Sequence, residues 1–481
     1  MTKTGEEGEF HIENSSSMEA SSAMGLENLG GLILETILLK LGPRHAAVVA
    51  CVSSRLRAAA SEDNLWRDFC AADFDLSCPE APQGTPCASF KVAYEQWLTS
   101  FLMYPLPLVK RAKQLWGAIR SWMSTNFPEA NDTLRRGATE AEIKRVEEKL
   151  GVKFPIPTRI LYRFCDGQDT VAFDNSQHRM LAPLGIIGGY EFYNHLVNVH
   201  LLPLSQIVRE SKLMERMMGF SSKNVIVAMS NYLEKWFFLN CSSGQLYVGT
   251  KDLLSGGGMV PCVPSTLVMP VCGAADVLPQ GGLMLWLEEH CRRLYAGLIQ
   301  TRMTRKSRSI CLYPEAVPQT CIVRKSQTRS SDSEAPPICS TAVTNGVKVH
   351  ASAVFVPELS VVDGEAEYYY SYSIRMSLLP EECILNGIYY SSCQLSSRHW
   401  VIKSKDNVVA QVSGEGVIGL HPHLKPNQKE FVYESCTPLP EASGSVEGSF
   451  TFVPGGLAYP EGPAFDVEVA PFLLEVPDYI F

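Results

Sequence analysis

Apolar positions along this chain follow two periods, and the change from one to the other divides it. Near the N-terminus they fall three or four residues apart. Leu34, Ile37, Leu38 and Leu41 form one helical stripe, Gly42-Pro43 interrupts it, and Val48, Val49, Val52, Leu56 and Ala59 resume it. Asn64 predicts an N-cap for a third helix carrying Leu65, Trp66 and Phe69. Helices this short, spread over about 45 residues, bury little surface by themselves. The apolar side chains left over point to a docking partner.

Past a Pro-rich loop, "CPEAPQGTPC", the stretch "SFKVAYEQWLTSFLMY" predicts one more helix, a connector packed on the first region. In "ATEAEIKRVEEKLGVKFP", Thr139 and Glu142 make a capping box, Ile143, Val146 and Leu150 an apolar stripe, and Gly151 the stop. "NVIVAMSN", "KWFFLN" and "GQLYVGT" then read as strands joined by turn residues such as Asn240 and Gly244, and "GGLMLWLEEHCRRLYAGLI" as a closing helix. Helices followed by strands predict an α+β domain.

From Ile338 the period becomes two. Val347, Val349, Ala351, Ala353 and Phe355 fall on one face of a strand, and Tyr368, Tyr370, Tyr372, Ile374 and Met376 on one face of another. Further strands are legible in "CQLSSRHWVIKS", "NVVAQVSG", "KEFVYESC", "GSFTFV" and "AFDVEVAPFLLE", which predicts an antiparallel β-sandwich. Just before it, residues 301–337 crowd Lys and Arg at both ends with Pro and Ser between, and keep no apolar period, so they predict a linker. Within it "TRKSR" reads as solvated chain, with a nuclear signal or phosphate-binding patch as the alternative, and "SSDSE" offers phosphate-acceptor hydroxyls. The predicted architecture is multidomain α+β: residues 1–23 disordered, 24–70 helical, 71–106 a helical connector, 107–300 α+β, 301–337 linker and 338–481 sandwich.

Charge and cysteine usage narrow the function classes. With 51 acidic and 42 basic residues the formal charge is -9. Residues 338–481 hold 17 acidic and 7 basic residues, a balance of -10, so the acidity sits in the sandwich. General affinity for nucleic acid or an anionic membrane is disfavoured. The 15 cysteines include no C-x-x-C pair, which reads as reduced thiols in a cytoplasmic or nuclear protein, with neither a disulfide framework nor a zinc site. The N-terminus is acidic and Ser-rich and lacks the apolar core of a signal peptide, and no apolar run is long enough to span a bilayer.

Three family resemblances follow the same boundaries. Leu29, Leu32, Ile33, Ile37, Leu41, Pro43, Val48, Cys51-Val52, Arg55, Ala59, Leu65 and Trp66 occur in the order and spacing of the F-box, which this segment resembles. The resemblance implies binding of a Skp-type adaptor through Leu29, Leu32, Ile33, Ile37, Leu41, Val52, Leu65 and Trp66, and a tether through that adaptor to a cullin ligase. Glu147, Leu150, Gly151, Pro155, Tyr162, Phe164, Asp166, Gly167 and Gln168, with "FFLNCSSGQLY", resemble the Smi/Knr-type or SUKH domain, whose members are taken to bind proteins. Tyr372-x-Ile374-x-Met376, Gln394 to Ile402, Val412 to Gly419, Tyr433-x-Ser435, Gly448-x-Phe450 and Phe465-x-Val467 resemble ApaG, a family of fibronectin-like sandwiches. The order F-box, SUKH, ApaG resembles one class of F-box protein that includes plant Skp-interacting members.

Candidate small-molecule chemistry is sparse. Gly414, Gly416 and Gly419 have the G-x-G-x-x-G spacing of dinucleotide sites, after a strand and with Glu434 where a ribose-binding acid would lie. But Pro422 and Pro426 stand where the required helix would run, so a turn or bulge between strands is the expected role, with an anion nest as the alternative. His421-x-His423 lacks a cysteine or carboxylate cluster to complete a metal site, and Ser397 with His399 lacks an orienting acid. Trp400, Tyr368, Tyr370 and Tyr372 read as core, with a ligand groove as the alternative. No cofactor, metal or catalytic residue is expected. The resemblances imply a non-catalytic substrate-recognition subunit of a Skp–cullin–F-box ubiquitin ligase, holding an unidentified target protein through the SUKH and ApaG domains. The alternative is a ligand- or nucleotide-responsive binding protein acting through the glycine loop.

Overall fold

The computed structural model describes residues 26, 29–169, 184–218, 223–230, 235–255, 258–268, 281–303, 308–316, 338–381, 383–405 and 407–481. The segment 1–23, expected to be disordered, and residues 304–307 and 317–337 of the expected linker lie outside them. The chain divides into two compact units, Met1–Leu106 and Pro107–Phe481.

The first unit is helical: α1 (Gly31–Val49), α2 (Ser54–Ala59), α3 (Asp63–Phe74) and α4 (Phe90–Phe101). Gly42, at φ 80° and ψ 169°, breaks the path inside α1, as the Gly-Pro interruption predicts. Ser53 caps α2 by accepting from the Leu56 amide at 3.3 Å. The third helix starts earlier than expected. Glu62 is its N-cap and Asn64 lies inside it, while Asp63 Oδ1 accepts from the Phe90 amide at 2.8 Å and so ties α3 to the start of α4.

Leu34, Leu38, Leu56, Leu65, Trp66 and Phe74 are all buried inside this unit. Trp66 Nε1 donates to the Ala60 carbonyl at 2.8 Å, and its ring meets Tyr94 edge-on with centroids 5.3 Å apart. Tyr94, Trp97 and Phe101 come from α4, and Tyr94 donates to Asp73 Oδ2 at 2.7 Å. The expected connector is therefore part of the core, and supplies the packing partner that three short helices lack. Trp66→Ala is expected to cost about 3–5 kcal/mol, because the cavity opens among rings that cannot collapse into it. Chemical denaturation of the variant, followed by far-UV circular dichroism, checks this.

In the second unit, α5 (Leu106–Asn126), α6 (Pro128–Asn131), α7 (Glu140–Leu150) and α8 (Ile156–Phe164) precede the strands β1 (Gly188–Phe192) and β2 (His195–Leu201). After α9 (Leu204–Met218) come β3 (Asn224–Ser230), β4 (Trp236–Asn240), β5 (Leu246–Gly249) and β6 (Met259–Pro261). Next are α10 (Ser265–Val268) and α11 (Gly282–Tyr295), then β7 (Gln300–Met303) and β8 (Arg308–Cys311). The eight strands form one sheet in the order β6-β5-β4-β3-β2-β1-β8-β7, antiparallel throughout except where β1 meets β8. The capping box of Thr139 and Glu142 is present, and Gly151 ends α7 at φ 67°. Helix α9 packs on β3, and Trp286 of α11 meets Phe237 of β4 with ring centroids 5.0 Å apart.

Strands β7 and β8 occupy the start of the segment 301–337 that reads as a linker. Two of its described charged side chains are paired: Glu315 accepts from Arg302 of β7, and also from Arg375 of the sandwich. An arginine paired on a short hairpin carries the same composition as one in a solvated linker, which is why the pattern misleads.

The last domain contains β9 (Cys339–Thr344), β10 (Val347–Phe355), β11 (Tyr368–Leu378), β12 (Cys383–Leu385), β13 (Ile388–Tyr390) and β14 (Cys393–Ser404). It continues with β15 (Asn407–Glu415), β16 (His423–Leu424), β17 (Phe431–Leu439), β18 (Ser443–Pro454) and β19 (Phe465–Glu475). Two antiparallel sheets, β17-β11-β10-β9 and β15-β14-β18-β19, face each other, with β16 added to β14 and β12-β13 a separate hairpin. Between them Trp400 meets Phe450 at 5.3 Å and Tyr372 at 6.0 Å, so Trp400, Tyr370 and Tyr372 are core. The polar face of β11 is buried as well. Ser371 bonds Tyr313 at 2.6 Å, because the sheet domain covers that side, while Ser435 of the edge strand β17, on the Tyr372 side, bonds Tyr193 at 2.8 Å.

Candidate functional site

The residues of the helical unit separate into two sets. Leu65 and Trp66 are core, and Leu29 and Ile37 are half-buried. Leu32, Val52, Val48, Ile33 and Leu41 remain 81%, 70%, 61%, 54% and 42% exposed. The cause is helical geometry: Leu34 and Leu38, one turn apart, take the inner face of α1, which leaves Leu32 and Ile33 on the outer faces. The kink at Gly42 and the turn after α1 bring the chain back, and Arg55 donates to the Leu29 carbonyl at 3.1 Å. The turn carrying Val52 thus lies beside the start of α1. Five large aliphatic side chains of this small unit are thus left in water, the kind of exposure that marks interaction sites where it is contiguous. Leu65 and Trp66, which the resemblance implies as adaptor contacts, are instead buried in the free chain: Leu65 is fully covered, and Trp66 packs on Ala60, Phe69 and Tyr94.

The glycine motif is a hairpin turn. Gly414 lies next to last in β15, Gly416 has φ 57°, and the Val417 and Leu420 backbones exchange hydrogen bonds of 2.9 and 2.8 Å around Ile418 (φ 43°) and Gly419 (φ 75°). Two consecutive positive φ values in a two-residue loop make a tight turn between antiparallel segments, with no helix N-terminus to receive a phosphate. Arg398 Nη1 donates to the Gly416 carbonyl at 2.8 Å and fixes the loop on β14. A Cβ at position 416 would stand 2.5 Å from the Leu420 carbonyl. Gly416→Ala is expected to destabilise the sandwich by about 1–3 kcal/mol, read as a lower Tm in a thermal scan. His421 Nδ1 bonds the Leu395 carbonyl at 3.0 Å, and His399 bonds Ser413 at 2.8 Å, so both rings serve the loop and sheet. Among the described residues no group of three metal-ligating side chains occurs. Among them, too, no helix is long and apolar enough to cross a membrane.

The motif residues of the middle domain are also architectural. Glu147 is buried, pairs with Arg159 and accepts from the Phe154 amide at 2.8 Å. Burial pushes its carboxyl up, and the Phe154 amide pulls back. Tyr162 donates to the Leu202 carbonyl at 3.0 Å, Asp166 caps α9 by accepting from the Leu204 amide at 2.8 Å, and Gln168 bridges Thr133 and Ile186.

One polar cluster has no counterpart in the sequence reading. Lys235, fully buried at the head of β4, donates to Tyr190 Oη at 2.9 Å and to the main-chain oxygen of Phe481 at 2.8 Å. Its Nζ lies 3.6 Å from Glu358 Oε2 of the sandwich, and that carboxylate accepts from Tyr190 at 2.7 Å and from His195 at 2.9 Å. Burial would raise Glu358, but Lys235 and His195 outweigh it and hold the carboxyl at about 2. Burial pulls Lys235 down, and Glu358 only partly offsets that. The carboxylate, which collects three partners, is the member that gains most from being charged. The one signal available was a lysine opening the apolar run "KWFFLN".

The geometry agrees with what comparison shows. A family model described as the ApaG domain matches residues 360–454. The chain is 48% identical over 463 residues to F-box protein SKIP16 of Arabidopsis thaliana, covering 95% of this chain and 100% of that one. It is 24% identical over 481 residues to F-box only protein 3 of Homo sapiens, covering 96% of this chain and 86% of that protein. Protein ApaG of Anaeromyxobacter dehalogenans is 36% identical over 138 residues, 29% of this chain and 96% of its own length. The match to F-box protein SKIP16 thus runs through the helical unit, the sheet domain and the sandwich alike. This chain belongs to the F-box protein family, in the branch that carries a C-terminal ApaG domain.

Proposed function

We propose that this F-box protein is the substrate-recognition subunit of a Skp–cullin–F-box ubiquitin ligase. The observation that carries the reading is the exposed aliphatic face of the first unit, Leu32, Ile33, Leu41, Val48 and Val52. An apolar helical face of this kind suits a Skp-type adaptor, which in turn engages a cullin. The middle domain, residues 107–316 with its SUKH-like motif, and the ApaG sandwich would hold the target. Their part in catalysis is proximity: a target held on the second unit raises the local concentration of its lysines near a charged conjugating enzyme. No residue of this chain is given a catalytic role. Co-elution of the purified full chain with a Skp-type adaptor and a cullin as one complex tests the assignment. Three separate peaks at micromolar concentrations contradict it.

A further inference from the structure

Strand β15 is the bare edge of the sandwich. It pairs with β14 on one side, and among the described residues no strand pairs with its other side. Every one of its nine residues is exposed or half-buried, and Val408 and Val412 stand 51% and 39% exposed. Soluble proteins blunt such edges with lysines, prolines, inward charges or bulges. Asn407 to Gly414 contains no charged residue and no proline. The single device is a bulge, where Ile402 opposes Ala410 and Lys403 opposes Val408, so that Val409 is extra. It disturbs the start of the strand and leaves Ala410–Glu415 as a regular, unpaired ladder. The comparable strand β17 differs: it contains Glu434 and Pro438, and Ser435 is bonded to Tyr193 of the sheet domain.

We infer that Ala410–Glu415 of β15 receives an extended segment of a target protein as an added antiparallel strand, a reading that rests on the target-binding role proposed above. The occupant follows from chemistry. A row of backbone amides and carbonyls without partners is satisfied by another extended backbone, and the side-chain pockets of a sheet edge then select alternate residues. Ala410 and Val412 lie opposite Ile402 and Trp400, so they belong to the side that leads into the sandwich core. Small β-branched residues of the segment would cover them and extend that core by one strand. Exposed Ile418 and Leu420, in the turn that directly follows, continue the apolar strip beyond the strand end. Charge decides between a foreign segment and a second copy of the chain. The sandwich carries -10, so two copies repel, whereas a segment flanked by lysine or arginine is attracted and meets exposed Glu415 at the end of the ladder.

The test uses the full chain and a labelled peptide of alternating threonine and valine flanked by paired lysines, with a glutamate-flanked version beside it. Expected are binding of the lysine-flanked peptide by fluorescence anisotropy, weaker binding of the glutamate-flanked one, and slowed amide exchange confined to Ala410–Glu415. The variant Gln411→Lys with Val412→Lys, both exposed positions of the ladder, should bind the peptide about tenfold more weakly with an unchanged Tm. The exchange measurement needs no variant, so a folding defect in the double mutant leaves the test intact. Absent binding, protection elsewhere, indifference to the flanking charge, or concentration-dependent protection of β15 without peptide would each overturn the inference. Adaptor capture is measured on the same preparation. Its retention alongside absent peptide binding removes this inference alone, and its loss removes the ligase reading.

Discussion

Glu358→Gln is expected to lower the stability of the second unit by about 3–5 kcal/mol, the cost of leaving a buried charge without its partner. The variant keeps the size of the side chain and removes the charge, so Lys235 stays fully buried with Tyr190 Oη and the main-chain oxygen of Phe481 as its remaining acceptors. Replacing both members, Lys235→Met with Glu358→Gln, should recover much of the loss, since a buried pair repays little beyond its own desolvation. The same network sets a pH dependence. The carboxyl titrates near 2 in the fold against an ordinary value of 4.5, so its contribution is complete above 4.5 and is lost as pH falls from there towards 2. Urea denaturation of wild type and Glu358→Gln at neutral pH and near pH 3 reads both effects. The difference between them should shrink at the lower pH. Because Glu358 belongs to the sandwich and Lys235 to the eight-stranded sheet, the loss should appear as earlier unfolding of both domains.

The second large effect concerns the exposed face. Leu32→Asp with Val52→Asp is expected to weaken adaptor capture about a hundredfold or more while leaving Tm nearly unchanged, because both side chains face water in the free chain. Trp66→Ala has the opposite signature, a lower Tm with adaptor capture lost only in proportion to unfolding, since Trp66 is packed between Phe69 and Tyr94. The pair of variants separates contact from support, a distinction that burial makes and that residue type alone does not.

Particular elements show where the sequence is legible. Local signals carry through: Thr139 and Glu142 form the capping box they spell, Gly42 breaks α1, and the alternating residues of β10 and β11 face the sandwich core. These depend on neighbours a few residues away. What stays hidden depends on partners far along the chain. Leu65 and Trp66 read as adaptor contacts because nothing local says that Tyr94 fills the space beside them. Residues 301–303 and 308–311 read as part of the linker 301–337 because the pairing of Arg302 with Glu315 and of Glu315 with Arg375 is tertiary. Ser371 alternates with the core-facing Tyr370 and Tyr372, and Tyr313, far along the chain, covers it. Glycine spacing is the intermediate case: the prolines after Gly419 already disfavour a helix, and the positive φ at Ile418 and Gly419 then identifies the turn.

The central claim is that the aliphatic face around Leu32 and Val52 is an adaptor-binding surface. Isothermal titration of the full chain with a purified Skp-type adaptor tests it most directly. The account predicts a one-to-one complex with a negative heat-capacity change from apolar burial, and no measurable heat with the Leu32→Asp and Val52→Asp variant. Equal binding by wild type and variant, or no binding by either while both remain folded, would contradict it.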